Sequence, residues 1–485
     1  MAFLTGGANS AAATGFDVAN SCRWNDGDEP YMHKTLVSPT SATISTISFW
    51  TKVSMNDTNV AKGIFGSRTD TNNRHNIWIA EDTTPVSALA VWGKTSGSTD
   101  INFSTSMAFK DPNAWYHVVV AIDTTQGTEG NRVKIYVNGT RITSFGTETY
   151  PDQNAVMQWS VADAVCQVGA YSVAGGIDYE WDGYLAEFVF IDGTQYAASD
   201  FGEFDEDSPT IWKPKDVSGL TFGNNGFYLD FEASDNLGND ANGGTDLTEV
   251  NLAAADSATD VPTNNFATLN ALEYSGGGKT FSEGNCKQFL TGVANFTRST
   301  IGVASGKWYC EVKLIAGLRA MYGISSYLSN AASNYLGELG NTTVGYSYGI
   351  IGNTGRLYHA GGSTANWINT VAADDIVMIA VDLDNYKIYF GINGTWERSG
   401  DPTSGATGTG AYTIVAPSLN GTGFYHFAFG CNSTSEDNNS EMNFGGCSGF
   451  AVSSANQDAD GYGNFEYAVP SGYFSLCSKN LAEYG

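Results

Sequence analysis

Basic residues are scarce in this chain: 23 Lys and Arg stand against 51 Asp and Glu, a formal net charge of −28 over 485 residues. Simple electrostatic binding to nucleic acid or to an anionic membrane surface needs a local excess of Lys and Arg. No basic stripe supplies one, so neither partner is expected, and the acidity reads as solubility. No run approaches the roughly 18 to 20 apolar residues of a membrane-spanning helix, so no membrane insertion is expected. The opening stretch MAFLTGGANSAAATGF has neither a basic n-region nor an apolar h-region. The product is therefore expected to stay in the cytosol where it is made, and triplets such as Asn138-Gly139-Thr140 then carry no glycosylation meaning. Heptads and collagen-like Gly repeats are also missing, which excludes a fibrous shaft.

Cysteine and histidine are sparse and unpatterned. Cys22, Cys166, Cys286, Cys310, Cys431, Cys447 and Cys477 are odd in number and contain no Cys-x-x-Cys, so neither a zinc ribbon nor a disulfide framework is spelled out. Reduced, buried thiols are expected. His33, His75, His117, His359 and His426 show no i, i+2 or i, i+4 pairing of the kind zinc ligands need. No nucleophile motif or phosphate loop is present. Helical periodicity is nearly absent too, and short Ala-containing pieces around Ala254 and Ala267 read as loop.

What the chain has is alternation. In Asp374–Trp396, DDIVMIAVDLDNYKIYFGINGTW, Val377, Ile379, Val381 and Leu383 alternate with their neighbours at period two. Asp384-Asn385 supplies turn chemistry, and Ile388, Phe390 and Ile392 resume the pattern before Asn393-Gly394. The same pattern runs through Trp115–Gly139, WYHVVVAIDTTQGTEGNRVKIYVNG, with Val133, Ile135 and Val137 leading into Asn138-Gly139. His117 reads as packing within its strand. Each stretch predicts a half-buried antiparallel hairpin, and two such hairpins far apart predict two sandwich domains. The length suits two to four domains of about 100 to 200 residues, and 57 glycines with 13% aromatics suit many short strands joined by tight turns.

The later hairpin, with GKWYCEVKL (Gly306–Leu314), YGISS (Tyr322–Ser326) and VGYSYG (Val344–Gly349) before it, resembles the signature of a SPRY domain. The earlier one, with CRWNDGDEPYMHKT (Cys22–Thr35), ISTISFWTKV (Ile44–Val53) and WDGYLAEFVFIDG (Trp181–Gly193), resembles a laminin-G-like, concanavalin-type lectin. The fold class these resemblances imply is all-β, with two antiparallel jelly-roll sandwiches in tandem. The expected layout is an N-terminal arm over 1–14, a lectin-like sandwich over 15–200 and a connector over 201–261. A SPRY-like sandwich over 262–448 follows, then a tail over 449–485 packed back on a sandwich. Within the connector, GNNGFYLDFEAS (Gly223–Ser234) alternates like a strand returning onto the first sandwich. The whole string, including FGEFDEDSPTIWKPK and VPTNNFATLN, also resembles lectin-plus-SPRY proteins of marine tailed phages.

The residues offer three kinds of candidate site. A sandwich glycoside hydrolase needs two carboxylates about 5 to 9 Å apart on one face. Glu180 and Asp182 share a face at period two, but Tyr184 and Ala186 follow them and Glu187 points to the other side, so the catalytic trio is broken. Glu180 and Asp182 are read as rim or turn residues, and no enzyme is expected. A calcium site is the second kind. Asp26 and Asp28 sit in a Gly-containing turn, and since laminin-G-like folds place first and last strands side by side, Glu187 could supply the opposing carboxylate. Third, Tyr327, Tyr335, Tyr358 and Trp367 lie among Asn, Ser and Gly in the SPRY-like half, a composition suited to stacking a sugar ring or a protein loop. Tyr346 and Trp396 read equally as core filling, and Trp50 and Trp115 as core.

The resemblance implies a phage virion structural protein, a tail fibre or spike or a head fibre, located in the virion and displaying lectin-like modules for host-surface or glycan adhesion. Its implied partners are other virion proteins and a cell-surface glycan or host receptor, with a homotrimer the common assembly in that setting. A capsid decoration protein without a receptor role and a polysaccharide-active enzyme are the alternatives.

Overall fold

The computed structural model describes residues 15–54, 61–80, 87–206, 208–273, 278–328, 335–338, 340–341 and 345–485, together with the short strand Phe3–Leu4. The rest of the expected arm, 1–2 and 5–14, lies outside the described residues. Two compact units emerge, one built on Ala13–Val53 and Asp57–Thr263 and the other on Asn264–Gly485. Both are β-sandwiches, and the one α-helix among the described residues is Ser478–Tyr484.

In the first unit the strand Gly183–Asp192 lies between Ile44–Val53 and Ser21–Trp24, and Ile44–Val53 in turn pairs with Trp115–Asp123. The expected hairpin follows, with Val133–Val137 antiparallel to Trp115–Asp123 and Ile122 opposite Val133. Asn138 and Gly139 turn the chain with φ of 46° and 74°, as a tight hairpin turn requires. At Gly139 a side chain has no room, because a Cβ would lie 2.3 Å from the Trp212 ring. The facing sheet runs Phe145–Thr149, Ser98–Ala108, Ala88–Thr95, Asn73–Ala80, Ala61–Asp70, Val165–Val168, Tyr31–Thr35 and Thr248–Val250. Between the sheets, Phe49 stacks on Phe188 and Phe188 on Phe227, with ring centroids 5.6 and 6.0 Å apart. Phe227 belongs to a short strand, Phe227–Leu229, paired with Gly183–Asp192. Trp50 and Trp115 are both fully buried.

The second unit repeats the principle with different strand order. One sheet carries Lys307–Ala316 between Asn438–Asn443 and Ile376–Asp382, and the latter pairs with Lys387–Ile392 in the expected hairpin, Val381 opposite Ile388. The other places Asn295–Arg298, His426–Cys431, Ala320–Ser325, Gly345–Ile351, Arg356–His359 and Gly362–Thr364 side by side. Phe3–Leu4 pairs with Ile301–Gly302.

Both hairpins depart from the half-buried expectation, since each is covered on its outer face as well. Val377, Ile379 and Val381 face the main core, while Met378 and Ala380 on the opposite face pack with Tyr309, Tyr389, Phe465 and Tyr473. Phe465 and Tyr473 come from the C-terminal segment, whose Phe474–Ser475 adds in parallel to Trp308–Tyr309. In the first unit the covering residues are Phe201 and Trp212, which pack on His117. A fully buried side chain of this size contributes about 1.5 to 3 kcal/mol, so these covers are integral parts of each sandwich. All seven cysteines are buried free thiols.

Candidate functional site

The acids of the first unit lie along and beside the strand Gly183–Asp192. The register against Ile44–Val53 slips between Ala186 and Val189, and Glu187 sits in that bulge with φ of 48°. The bulge turns Glu187 inward, leaving it 6% exposed, and the Tyr228 hydroxyl donates to its Oε2 at 2.6 Å. Burial pushes the Glu187 carboxyl up to about 8; Asp230, Glu232 and Asp216 add to the rise, and the Tyr228 hydrogen bond opposes it. Asp182 is likewise buried, which corrects its reading as a rim residue, while Glu180 is half-buried in the preceding loop with its carboxyl raised by burial.

The calcium set is not assembled. Asp26–Asp28 forms a single 3-10 turn closed by Glu29 in the left-handed region. The Lys62 ammonium pairs with the Asp26 carboxylate, and Asn25 Nδ2 donates to Asp28 Oδ2 at 2.9 Å. Trp24, just before the turn, pairs with Gly183, and four strand positions, about 13 Å, separate Gly183 from Glu187. Among the described residues no three His, Cys, Asp or Glu side chains are grouped to hold a metal ion. These residues therefore do not fit a calcium ion that needs six to eight converging oxygens.

One Ser–His contact escaped the sequence reading because its members are 69 residues apart. Ser48 Oγ lies 2.9 Å from His117 Nε2, and Trp212 Nε1–H donates to His117 Nδ1 at 3.0 Å. With Nδ1 accepting, the ring proton sits on Nε2 and points at Ser48. The imidazole thus donates to the hydroxyl and is not placed to take its proton, the reverse of a nucleophile and base.

In the second unit the four expected aromatics divide. Tyr327 is a core residue, correcting its expected place as a ligand platform: its ring packs edge-on to Phe296 at 5.7 Å and its hydroxyl lies 2.8 Å from Ser347 Oγ. Trp367 is half-buried against the main core, edge-on to Tyr412 at 5.3 Å, with the Arg398 guanidinium 4.1 Å above its ring. His359 and Tyr348 join the same group, 5.0 and 5.8 Å from Tyr412. Trp396 packs beside Tyr309 in the cluster on the outer face, whereas Tyr346 packs against the main core.

Tyr335 and Tyr358 form an edge-on pair at 5.7 Å over the small cluster of Phe296, Met321, Tyr327 and Leu336. Tyr335 also lines an open cleft of ≈ 350 Å³ with Arg319 and Asn432–Glu436. Two tight connections build its walls, 317–319 leading into Ala320–Ser325 and 432–437 leaving His426–Cys431. They meet because those strands are neighbours, and Asn432 N–H donates to the Arg319 carbonyl at 3.0 Å. Composition signalled the tyrosine but not Arg319 or Glu436, which come together only through the sheet.

Comparison with known proteins bears mainly on the first unit. Residues 26–198 match the family model of the concanavalin A-like lectin/glucanases superfamily, Laminin_G_3. No curated protein matches the chain. Similar solved structures include the SPRY domain of human HERC1, at 12% identity with a TM-score of 0.24, over 36% of this chain and 92% of that one. The TRIM65 PSpry domain matches at 12% identity with a TM-score of 0.27, over 37% and 92%. The heptameric SAP-like pentraxin of Limulus polyphemus matches at 16% identity with a TM-score of 0.27, over 37% of this chain and 80% of that chain. Residues 26–198, within the first sandwich, are thus similar to the concanavalin A-like lectin/glucanases superfamily.

Proposed function

We propose that the chain is a non-catalytic adhesion protein of a phage virion, carried on a tail fibre, spike or head fibre, with its concanavalin-like sandwich binding a cell-surface glycan. The observation that carries the adhesion reading is the match of residues 26–198 to the concanavalin A-like lectin/glucanases superfamily. That superfamily holds binders and hydrolases alike, and fold does not choose between them. The acids favour binding, because Asp182 and Glu187 are buried inside the unit, where a polysaccharide has no access to them. The virion setting rests on the likeness of the whole string to lectin-plus-SPRY phage proteins.

A glycan array probed with the full chain, with and without EDTA, tests adhesion. Glycan signal that survives EDTA is the expected result, and no signal in either condition overturns the reading. Release of reducing ends from a polysaccharide by the pure protein would replace it with a hydrolase. Electron microscopy of particles labelled with antibody against the chain tests the setting separately, and absence of label would remove the virion.

A further inference from the structure

One lysine of the first unit is shut away together with its acid partner. Lys52 stands in a row across three strands, opposite Tyr184 on one neighbouring strand and Trp115 on the other. Its Nζ lies 5.7 Å from the centre of the Tyr184 ring and 2.6 Å from Asp260 Oδ2, and both side chains of the pair are only 1% exposed. Lys307 and Lys287 of the second unit also pair with acids, Asp382 and Glu441, but their side chains are 24% and 28% exposed. Water reaches those two lysines and is kept from Lys52.

Both partners are also held through their backbones. Lys52 is paired on either side within its sheet, while Asp260 follows the strand Ser257–Ala258, which pairs with Ser21 and Cys22, and the Asp260 carbonyl accepts from Ser21 Oγ at 2.6 Å. One C–O bond separates Oδ2 from the carboxyl carbon, so that carbon lies no more than about 3.8 Å from Nζ. Reacting atoms poised for attack stand about 3 to 3.5 Å apart, so only a small shift separates this pair from that geometry. The second carboxyl oxygen, Oδ1, accepts from Trp115 Nε1–H at 3.2 Å.

We propose that Lys52 and Asp260 condense in the folded chain to form a Lys–Asp isopeptide bond, a covalent clamp inside the first unit. The ion pair is the form in which the unit first folds. One proton crosses the hydrogen bond from Nζ to Oδ2, which leaves an amine facing a carboxylic acid. Nζ then attacks the carboxyl carbon, and the charge that develops on Oδ1 meets the Trp115 N–H. A proton passes from the nitrogen to the Oδ2 hydroxyl, the C–Oδ2 bond breaks, and the products are one amide and one water, with no other reactant consumed. Fixed partners supply the high effective concentration that condensation needs, and a water-excluding site gives hydrolysis no route back. The bond joins positions 208 residues apart, tying the strand Ile44–Val53 to the last segment of its unit. The inference goes beyond the adhesion reading and does not depend on it.

The test is intact mass and tryptic mapping of the full wild-type chain after prolonged incubation in the folded state. The expected intact mass is lower than that of the linear sequence by one water. Trypsin is expected to cut after Lys287 and Lys307 but not after Lys52, and to release a branched peptide that holds both Lys52 and Asp260. Lys52→Met with Asp260→Leu, which removes both charges from the site, is the control, and a thermal melt shows that it is folded; it is expected to keep the full linear mass. A wild-type chain of full linear mass that is cut after Lys52 overturns the proposal. So does a water loss that persists in the double variant, which would place the loss elsewhere in the chain.

Discussion

Trp212 donates its indole N–H to Nδ1 of His117, 3.0 Å away and 95 residues earlier in the chain. That one hydrogen bond ties the covering segment to the hairpin beneath it and fixes which ring nitrogen carries the proton. Burial holds the His117 ring down at about 3, and His426 in the second unit is held at about 3 by burial and by Arg298.

Acid sensitivity follows from these two rings. Each folded pKa lies below its unfolded value of 6.5, so the stability each contributes is present above pH 6.5 and lost as pH falls towards 3. Denaturant melts between pH 7 and pH 4.5 are expected to lose about 2 to 3 kcal/mol per histidine. His117→Gln and His426→Gln are each expected to flatten that slope, and a slope unchanged in both variants would contradict the assignment.

Glu187 acts at the other end of the pH range. Its folded pKa of about 8 lies above the unfolded value of 4.5, so its contribution is full below pH 4.5 and lost as pH rises through 8. Glu187→Gln keeps an acceptor for the Tyr228 hydroxyl and removes the ionisation. The variant is expected to gain on wild type between pH 6 and 9, read from urea midpoints across that range.

Glu311 fastens the C-terminal segment. Its carboxylate accepts backbone N–H groups from Glu466 at 2.9 Å and Tyr467 at 2.8 Å, and the Tyr309 hydroxyl at 2.9 Å. Glu311→Ala leaves those donors unmet at about 1 to 3 kcal/mol each. Hydrogen exchange is expected to speed up selectively over 456–475, ahead of the strands beneath; uniform exchange across the unit would show a different role.

Lys52 and Asp260 form a buried ion pair at 2.6 Å, with Trp115 Nε1–H donating to the same carboxylate at 3.2 Å. Asp260→Ala strands a buried ammonium and is expected to cost about 3 to 5 kcal/mol. Replacing both, Lys52→Met with Asp260→Leu, is expected to recover most of that loss in a double-mutant cycle.

The hairpins were legible because their strands alternate at period two and end in Asn-Gly or Asp-Asn, signals that are local to the sequence. The aromatics of the tail signalled that it packs back on a sandwich, but not that Phe465 and Tyr473 cover the outer face of the later hairpin. The cover of the earlier hairpin left no signal, because Trp212 sits in a segment without period, 95 residues from His117. Tyr327 read as a platform because Asn, Ser and Gly surround it, yet its ring packs on Phe296 and its hydroxyl meets Ser347 Oγ inside the core. Asp26, Asp28 and Glu187 looked convergent on paper because a bulge and an ion pair to Lys62 leave no trace in spacing. Arg319 and Glu436 are 117 residues apart and become neighbours only through the pairing of Ala320–Ser325 with His426–Cys431.

The seven shut-away thiols give each sandwich a built-in gauge of its own opening. An alkylating reagent can mark Cys22 and Cys166 only when the first unit breathes, and Cys286, Cys310, Cys431, Cys447 and Cys477 only when the second does. Mass spectrometry of a timed quench would therefore read two unfolding clocks from a single unlabelled chain.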